Sequence, residues 1–139
     1  MDEFALINRF FSRRIARTDV IAGIGDDGAV LSPGAGLEQV QVIDTLVEGV
    51  HFPPGTRAQD IAWRAVAVNL SDIAAMGARP RWMTLALTLT NSSEAWLESF
   101  AAGLFAAADE HDVALVGGDT TYGATLVVTI SISAELHPG

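Results

Sequence analysis

The segment AVAVNLSDIAAMGARPRWMTLALTLT, residues 65–90, contains a helix pattern followed directly by a strand pattern. Its first part is mostly apolar and stops at Gly77, the residue type that most often ends helices. Residues 82–90 then alternate strictly, and this alternation places the threonines of the segment on one face of a strand. The segment therefore predicts a domain that mixes helices with a sheet.

Working outward from this segment, apolar periodicity predicts further helices and strands, with the long strands sharing one sheet. Glycine and proline clusters separate the elements, and Ser92 or Ser93 can cap a helix. The expected elements are a helix from about Asp2 to Arg13 or Arg14, strands at 29–32 and 40–46, a helix at 56–76, a helix from Ser92 or Ser93 to about His111, and strands at 113–116 and 125–135.

Composition indicates a globular chain with an acidic surface. The 139 residues suit one domain, and 50% hydrophobic with 18% charged residues is unlike a disordered chain. The net charge of −9 argues against DNA or RNA as the main partner, since a phosphate backbone needs a basic face. The absence of cysteine excludes disulfides, thiolate metal sites and a cysteine nucleophile. The acidic start at Met1 and the interrupted apolar runs predict a cytoplasmic protein without a secretory signal or membrane span.

Four motifs place an aspartate in an apolar or glycine-rich setting. A buried carboxylate is costly unless a cation or several donors meet it, and the chain has no lysine. Arginine or a metal ion must therefore supply the positive charge. We interpret the set as a hard-cation site for phosphate chemistry, because magnesium bridges carboxylates to phosphates. The motifs are GIGDD at 23–27, DTL at 44–46, NLSD at 69–72 and GGDT at 117–120.

Each motif also has a purely structural interpretation. Asp27 and Asp44 can form turns by bonding nearby backbone, and Gly117-Gly118-Asp119 can be a tight turn. Asn69 and Asp72 share a helix face, so they can be a buried pair that sets helix packing.

The histidines are ambiguous in a similar way. His51 is a candidate contact for a phosphate or a polar ring, but a lone histidine in this setting is more often a structural hydrogen bonder than a ligand. His111 and His137 fit surface positions or helix ends.

The motifs, taken in order, resemble the thiamine-monophosphate kinase family. Its superfamily also holds aminoimidazole ribonucleotide synthetase, selenophosphate synthetase and the hydrogenase-maturation carbamoyl-dehydrating enzyme. The resemblance covers nearly the whole chain and is most specific in NLSDIAAMG. The matching segments are GIGDD from Gly23, DTLVEGVHF from Asp44, AVNLSDIAAMGA from Ala67 and GGDTT from Gly117.

The resemblance implies ATP-dependent phosphorylation of thiamine monophosphate to thiamine diphosphate, assisted by several magnesium ions. No side chain is expected to act as a catalytic acid or base, because the acceptor phosphate is already anionic. By position, the residues expected to serve are Asp27, Asp44, Asp72 and Asp119 as metal ligands, Gly118 and Asp119 as ATP contacts, and His51 as a substrate contact.

The resemblance also implies an architecture. We expect an α+β fold with a mixed, mostly antiparallel sheet and helices packed on one face. The sheets of two chains would close a barrel-like homodimer, with ATP in a groove there. Residues 1–139 would be the N-terminal ATP- and magnesium-binding and dimerisation domain of a longer two-domain protein, whose C-terminal domain is absent from this sequence.

One departure and two alternatives stay open. The family usually has a hydroxyl pair before Asp-Thr, where this chain has Val42 and Ile43, so only backbone carbonyls could bind metal there. Another ATP-dependent synthetase of the superfamily would share the outline of the motifs. A non-catalytic dimerisation module would use its aspartates only to end strands and cap turns.

Overall fold

The computed structural model describes all residues of the chain, 1–139, as a mixed α+β fold. A π-helical turn, Ile7–Phe11, continues the first helix. The other elements, in chain order, are α1 (Glu3–Leu6), β1 (Val20–Ala22), β2 (Val30–Leu31), β3 (Glu38–Val47), α2 (Ala58–Ala75), β4 (Arg79–Leu89), α3 (Glu94–Glu110), β5 (Ala114–Tyr122) and β6 (Val127–Leu136).

The main sheet has four strands in the order β3-β6-β4-β5. β6 runs antiparallel to both of its neighbours, whereas β4 and β5 are parallel. β3 and β5 are therefore the two edges of the sheet. β1 and β2 form a separate two-stranded antiparallel ribbon. The predicted mixed, mostly antiparallel sheet is confirmed.

One face of this sheet is covered by helices, as predicted. Along β4, Met83, Leu85 and Leu87 are buried while Thr84 and Ala86 are exposed, which is the alternation expected of a half-covered strand. α2 packs across β3, β6 and β4, and α3 lies beside α2 and reaches β5. The opposite face carries mainly hydroxyl side chains, and only its end near Trp82, Ala114 and Val116 is covered, by Val20 and Leu31 of the ribbon.

The α2–α3 contact depends on the absence of a side chain at Gly103. A Cβ atom at this position would lie 2.4 Å from the carbonyl oxygen of Gln59, closer than any tolerated contact.

The sequence signals for the helix ends are found in the structure. Ser93 caps α3 by accepting from the backbone N–H of Trp96, and Gly77 follows α2 with a φ of 70°.

Three boundary predictions were wrong, one of them at β4, which begins at Arg79 and not at residue 82. The first helix ends at Phe11, well before Arg13, because Arg13 instead forms an ion pair with Asp109 of α3 and lies over the Phe105 ring. β5 does not stop at 116: it continues to 122, since its pairing with β4 resumes after an irregularity and holds residues 117–122 in the sheet. The sequence-based interpretation of Gly117-Gly118-Asp119 as a turn is therefore incorrect.

A buried ion network attaches the β1–β2 ribbon to the main sheet. Asp19, just before β1, accepts hydrogen bonds from Arg17 at 2.6 and 2.8 Å and from Arg81 of β4 at 2.6 Å. Arg81 also lies 3.3 Å from Glu135 of β6, whose carboxylate accepts from the N–H of Gly34. The network fixes both ends of the segment that contains the 23–28 loop.

We predict that Asp19 makes stability depend on acid pH. The hydrogen bond from Arg17 is the main cause that lowers the pKa of Asp19 to about 2, below its ordinary value of 3.8, despite the opposing effect of burial. A carboxyl with a lowered folded-state pKa stabilises fully above its unfolded value, and this contribution disappears as pH falls from about 4 to 2. Urea unfolding should show a loss of about 1–2 kcal/mol over this range that Asp19→Asn lacks. Equal pH slopes in both proteins would contradict the assignment.

Candidate functional site

A cleft of about 570 Å³ opens between the N-terminal helix, the 24–29 loop and the strands β4 and β5. The loop contributes Asp26 and Asp27, and β5 contributes Gly118 and Asp119. β4 supplies part of the floor through Thr84 and Leu85. Four segments that are distant in sequence thus meet at one concave surface.

The acidic wall of this cleft is exposed and has no cationic partner. Asp27 and Asp119 form no ion pair within the chain. The side chain of Asp26 accepts the N–H of Asp27 at 2.8 Å, and Gly25, with a φ of 117°, allows the sharp turn of the loop. Uncompensated oxygen ligands in a concave setting fit a hard divalent cation such as magnesium.

Gly118 lets β5 approach β4 unusually closely. Its φ is 147°, and a Cβ atom there would lie 1.8 Å from the carbonyl oxygen of Leu85. Only glycine fits this position, and the next residue, Asp119, lies at the cleft as a result. The close approach explains the glycine directly before the aspartate even though the chain does not turn there.

Asp44 lies on a different part of the molecule. It is on the edge strand β3, half-buried, and in register with Ile130 of β6 and, through it, with Leu85 of β4. Since β6 and β4 separate β3 from β5, Asp44 does not line the cleft that contains Asp119.

Asp72 and Asn69 differ in their environments. Asp72 is exposed in the last turn of α2 and does not line the cleft, whereas Asn69 is fully buried. The Asn69 amide donates to the carbonyl of Ala65 at 3.0 Å, and its Oδ1 atom has no partner. The two side chains are not hydrogen-bonded to each other.

His51 is fixed by the backbone around it. Its Nδ1 accepts the N–H of Val47 at 2.9 Å, and its carbonyl accepts a hydrogen bond from Arg64 at 2.6 Å. A neutral ring that accepts at Nδ1 carries its proton at Nε2, so the exposed edge of His51 offers a donor. The structure therefore contains the structural hydrogen bond considered above and leaves the other nitrogen free for a ligand.

Within one chain, only some of the predicted ligand residues come together. Asp27, Gly118 and Asp119 meet at the cleft, while Asp44 and Asp72 lie outside its lining. No three carboxylate or imidazole side chains lie together in a way that could hold one metal ion. A complete multi-metal site needs groups beyond those that a single copy of this chain brings together.

Comparison with known proteins shows which family the chain belongs to. The family model for AIR synthase related protein, N-terminal domain, matches residues 25–135. The chain belongs to this AIR synthase related family. The match includes all six predicted site positions and all of the main sheet except Leu136, so the cleft is built largely from family segments.

The proteins that the chain resembles include thiamine-monophosphate kinases. The Escherichia coli (strain K12) enzyme is 52% identical over 138 residues, covering 99% of this chain and 42% of the relative. The crystal structure of the enzyme from Stenotrophomonas maltophilia K279a has 54% identity and a TM-score of 0.87, covering 99% of this chain and 43% of that one. A solved structure of AaThiL complexed with AMPPCP and TMP has 29% identity and a TM-score of 0.71, covering 82% and 37%. The chain thus spans less than half the length of these relatives.

Val42 and Ile43, which replace the hydroxyl pair that is usual before Asp-Thr, lie on the edge strand β3. The carbonyl of Val42 accepts a hydrogen bond from the Ser131 hydroxyl at 2.8 Å, and Ile43 is 68% exposed on the open face of the sheet. The Val42 carbonyl thus has a protein partner already, and a large apolar group is exposed at the next position.

Sequence reasoning missed the N-terminal wall of the cleft. Phe4, Ile7 and Asn8 line it, together with Asp26 of the loop. The helical spacing of the aromatic and aliphatic residues near the N-terminus indicates only an amphipathic helix, and that pattern is the same for a helix facing a core and for one facing a cleft. Only the tertiary placement distinguishes the two.

We predict that Gly118→Ala destabilises the domain and that Gly117→Ala does not. An alanine Cβ at 118 must displace the backbone of Leu85, whereas at 117 it would meet only the Thr84 methyl at 3.9 Å. Urea unfolding should show a loss of roughly 3 kcal/mol for Gly118→Ala and less than about 1 kcal/mol for Gly117→Ala. Similar losses for the two variants would show that the close approach at 118 is not a constraint.

Proposed function

We propose that this chain is the nucleotide- and magnesium-binding part of a kinase that transfers the γ-phosphoryl group of ATP to thiamine monophosphate. The product would be thiamine diphosphate. The observation that carries the proposal is the meeting of Asp27, Gly118 and Asp119 at one cleft. The similar thiamine-monophosphate kinases, and a relative solved with AMPPCP, an ATP analogue, and TMP, support it.

The residues of the cleft suit positioning more than acid–base chemistry. The attacking phosphate oxygen is already anionic, so the difficulty lies in bringing two anions together in line. Asp27 and Asp119 would hold magnesium, and the backbone of Gly118 would contact the nucleotide. When bound, magnesium would neutralise charge on the phosphates. His51 would orient the acceptor through its Nε2–H.

We also propose that a second copy of the chain completes the site. β3 carries Asp44 at one edge of the sheet, and β5 carries Asp119 at the other. If two sheets close edge to edge into a barrel, β3 of one protomer lies about 4.8 Å from β5 of its partner. Asp44 would then lie next to the strand that bears the partner's Asp119. The hydroxyl-rich part of the sheet face that the ribbon leaves uncovered would become the inside of this barrel.

The longer relatives suggest where the remaining contacts come from. Asp72 is exposed at the end of α2, and the relatives have more than half of their length outside the matched region. A second domain there would contribute further metal and thiamine contacts.

None of the helices combines the length and apolar character needed to cross a bilayer. We propose that the enzyme works in the cytoplasm.

The direct test is ATP turnover by the full-length protein with thiamine monophosphate and magnesium. We expect thiamine monophosphate to stimulate turnover, and Asp27→Asn or Asp119→Asn to lower kcat/KM by about a hundredfold or more. Asp60→Asn, an exposed carboxylate in the first turn of α2, is the matched control and should stay within about twofold. No stimulation by thiamine monophosphate would reject the proposed acceptor, and stimulation by another acceptor would identify a different ATP-dependent enzyme.

Mixing two inactive variants tests the shared site. Asp44→Asn and Asp119→Asn should each be inactive, yet co-refolded mixtures should regain about a quarter of wild-type activity. In a random mixture half of the dimers are mixed, and one of the two sites in each keeps both aspartates. If the mixture stays as inactive as its parents, while size-exclusion chromatography shows mixed dimers, each site belongs to one protomer.

A further inference from the structure

The cleft has a second wall of different character. Phe4 and Ile7 of the N-terminal segment line it together with Ile24 of the loop and Leu115 of β5. An apolar wall does not bind a triphosphate or a hydrated cation. A ligand that fills the whole cleft must therefore have one highly charged end and one apolar end.

Two side chains of this wall are placed to contact a flat ring. Phe4 is 80% exposed, the highest exposure among the large apolar side chains of the protein. Asn8 lies four residues later, exposed on the same face of the helical segment. A phenyl ring offers a stacking surface, and an amide offers both a donor and an acceptor to the edge of a ring.

The wall is held rigidly, so the exposure of Phe4 does not come from a loose terminus. Asp2 caps the helix by accepting the N–H of Ala5 at 2.8 Å, and the hydroxyl of Tyr122 on β5 donates to the carbonyl of Met1 at 3.1 Å. Further along, Arg9 lies 2.9 Å from Glu94 of α3, and Phe11 packs edge-to-face on Phe100 of α3. The π-helical turn between these anchors is a feature often found at functional sites.

We propose that this wall is the base subsite of the nucleotide, with the purine ring stacked on Phe4 and its edge facing Asn8. The inference rests on the proposed function, in which the phosphates bind near Gly118 and Asp119. A ring on Phe4 and phosphates near Gly118 and Asp119 would let one ligand contact both the apolar and the acidic lining of the cleft. Stacking on an aromatic side chain is favourable for any base, so the Asn8 amide is the group that would prefer one base.

Calorimetric titration of the full-length protein with Mg·ATP and with Mg·tripolyphosphate, which lacks the base, separates the two walls. We expect Phe4→Ala to raise the Kd for Mg·ATP about tenfold and to leave the Kd for Mg·tripolyphosphate within about twofold. Phe4→Trp should keep the affinity for Mg·ATP. Trp63→Ala, an exposed aromatic residue on α2 outside the cleft, is the matched control and should change neither Kd.

Four results would overturn the proposal. The first is an unchanged Kd for Mg·ATP in Phe4→Ala. The second is an equal weakening of both ligands, which would give Phe4 only a structural role. The third is that Phe4→Ala weakens the binding of thiamine monophosphate and of neither Mg·ATP nor Mg·tripolyphosphate, which would assign the wall to the other substrate. The fourth is a wild-type protein that binds Mg·ATP no more tightly than Mg·tripolyphosphate. In these cases the phosphate site stands, whereas absence of binding by both phosphate ligands would reject the proposed function as well.

Discussion

The parallel pairing of β4 and β5 is the constraint on which the candidate site depends. The two backbones approach so closely at Leu85 and Gly118 that no side chain fits between them. This approach keeps β5 in the sheet beyond its buried half and brings Asp119 to the mouth of the cleft. The acidic loop then needs only to be held opposite β5, and the network of Arg17, Asp19 and Arg81 attaches its flanking strands to the sheet.

The carboxylates of the molecule fall into two kinds, according to whether an arginine pairs with them. Asp19 and Glu135 are buried, and arginine meets each of them. Asp27 and Asp119 line a cleft without an internal cation. In a chain with eight arginines and no lysine, this division is consistent with structural carboxylates satisfied internally and functional ones left for a ligand.

Much of the fold could be predicted from the sequence because its elements have strong local signals. The alternation in residues 82–90 and the glycine after α2 both correspond to observed elements. The failures come from tertiary pairing. β1 is only three residues long and exists because β2 pairs with it, and residues 117–122 remain extended because β4 lies beside them. A pair of glycines followed by an aspartate looks like a turn when the neighbouring strand is unknown.

The residues of the candidate site were predictable where a local motif marks them, and not where tertiary placement alone brings them to the cleft. The glycine-rich motifs led to Asp27, Gly118 and Asp119, which do meet, and Asp44 and Asp72 remain predictions that depend on other parts of the assembly. Phe4 and Asn8 could not be found, because an amphipathic spacing does not say which surface the helix faces.

The most direct test of the account is a crystal structure of the full-length protein with Mn²⁺ and a non-hydrolysable ATP analogue, with manganese located by its anomalous scattering. The account predicts manganese about 2.1–2.2 Å from carboxylate oxygens of both Asp27 and Asp119, with analogue phosphates beside Gly118. Manganese and analogue bound elsewhere, with the two aspartates still facing only solvent, would contradict it.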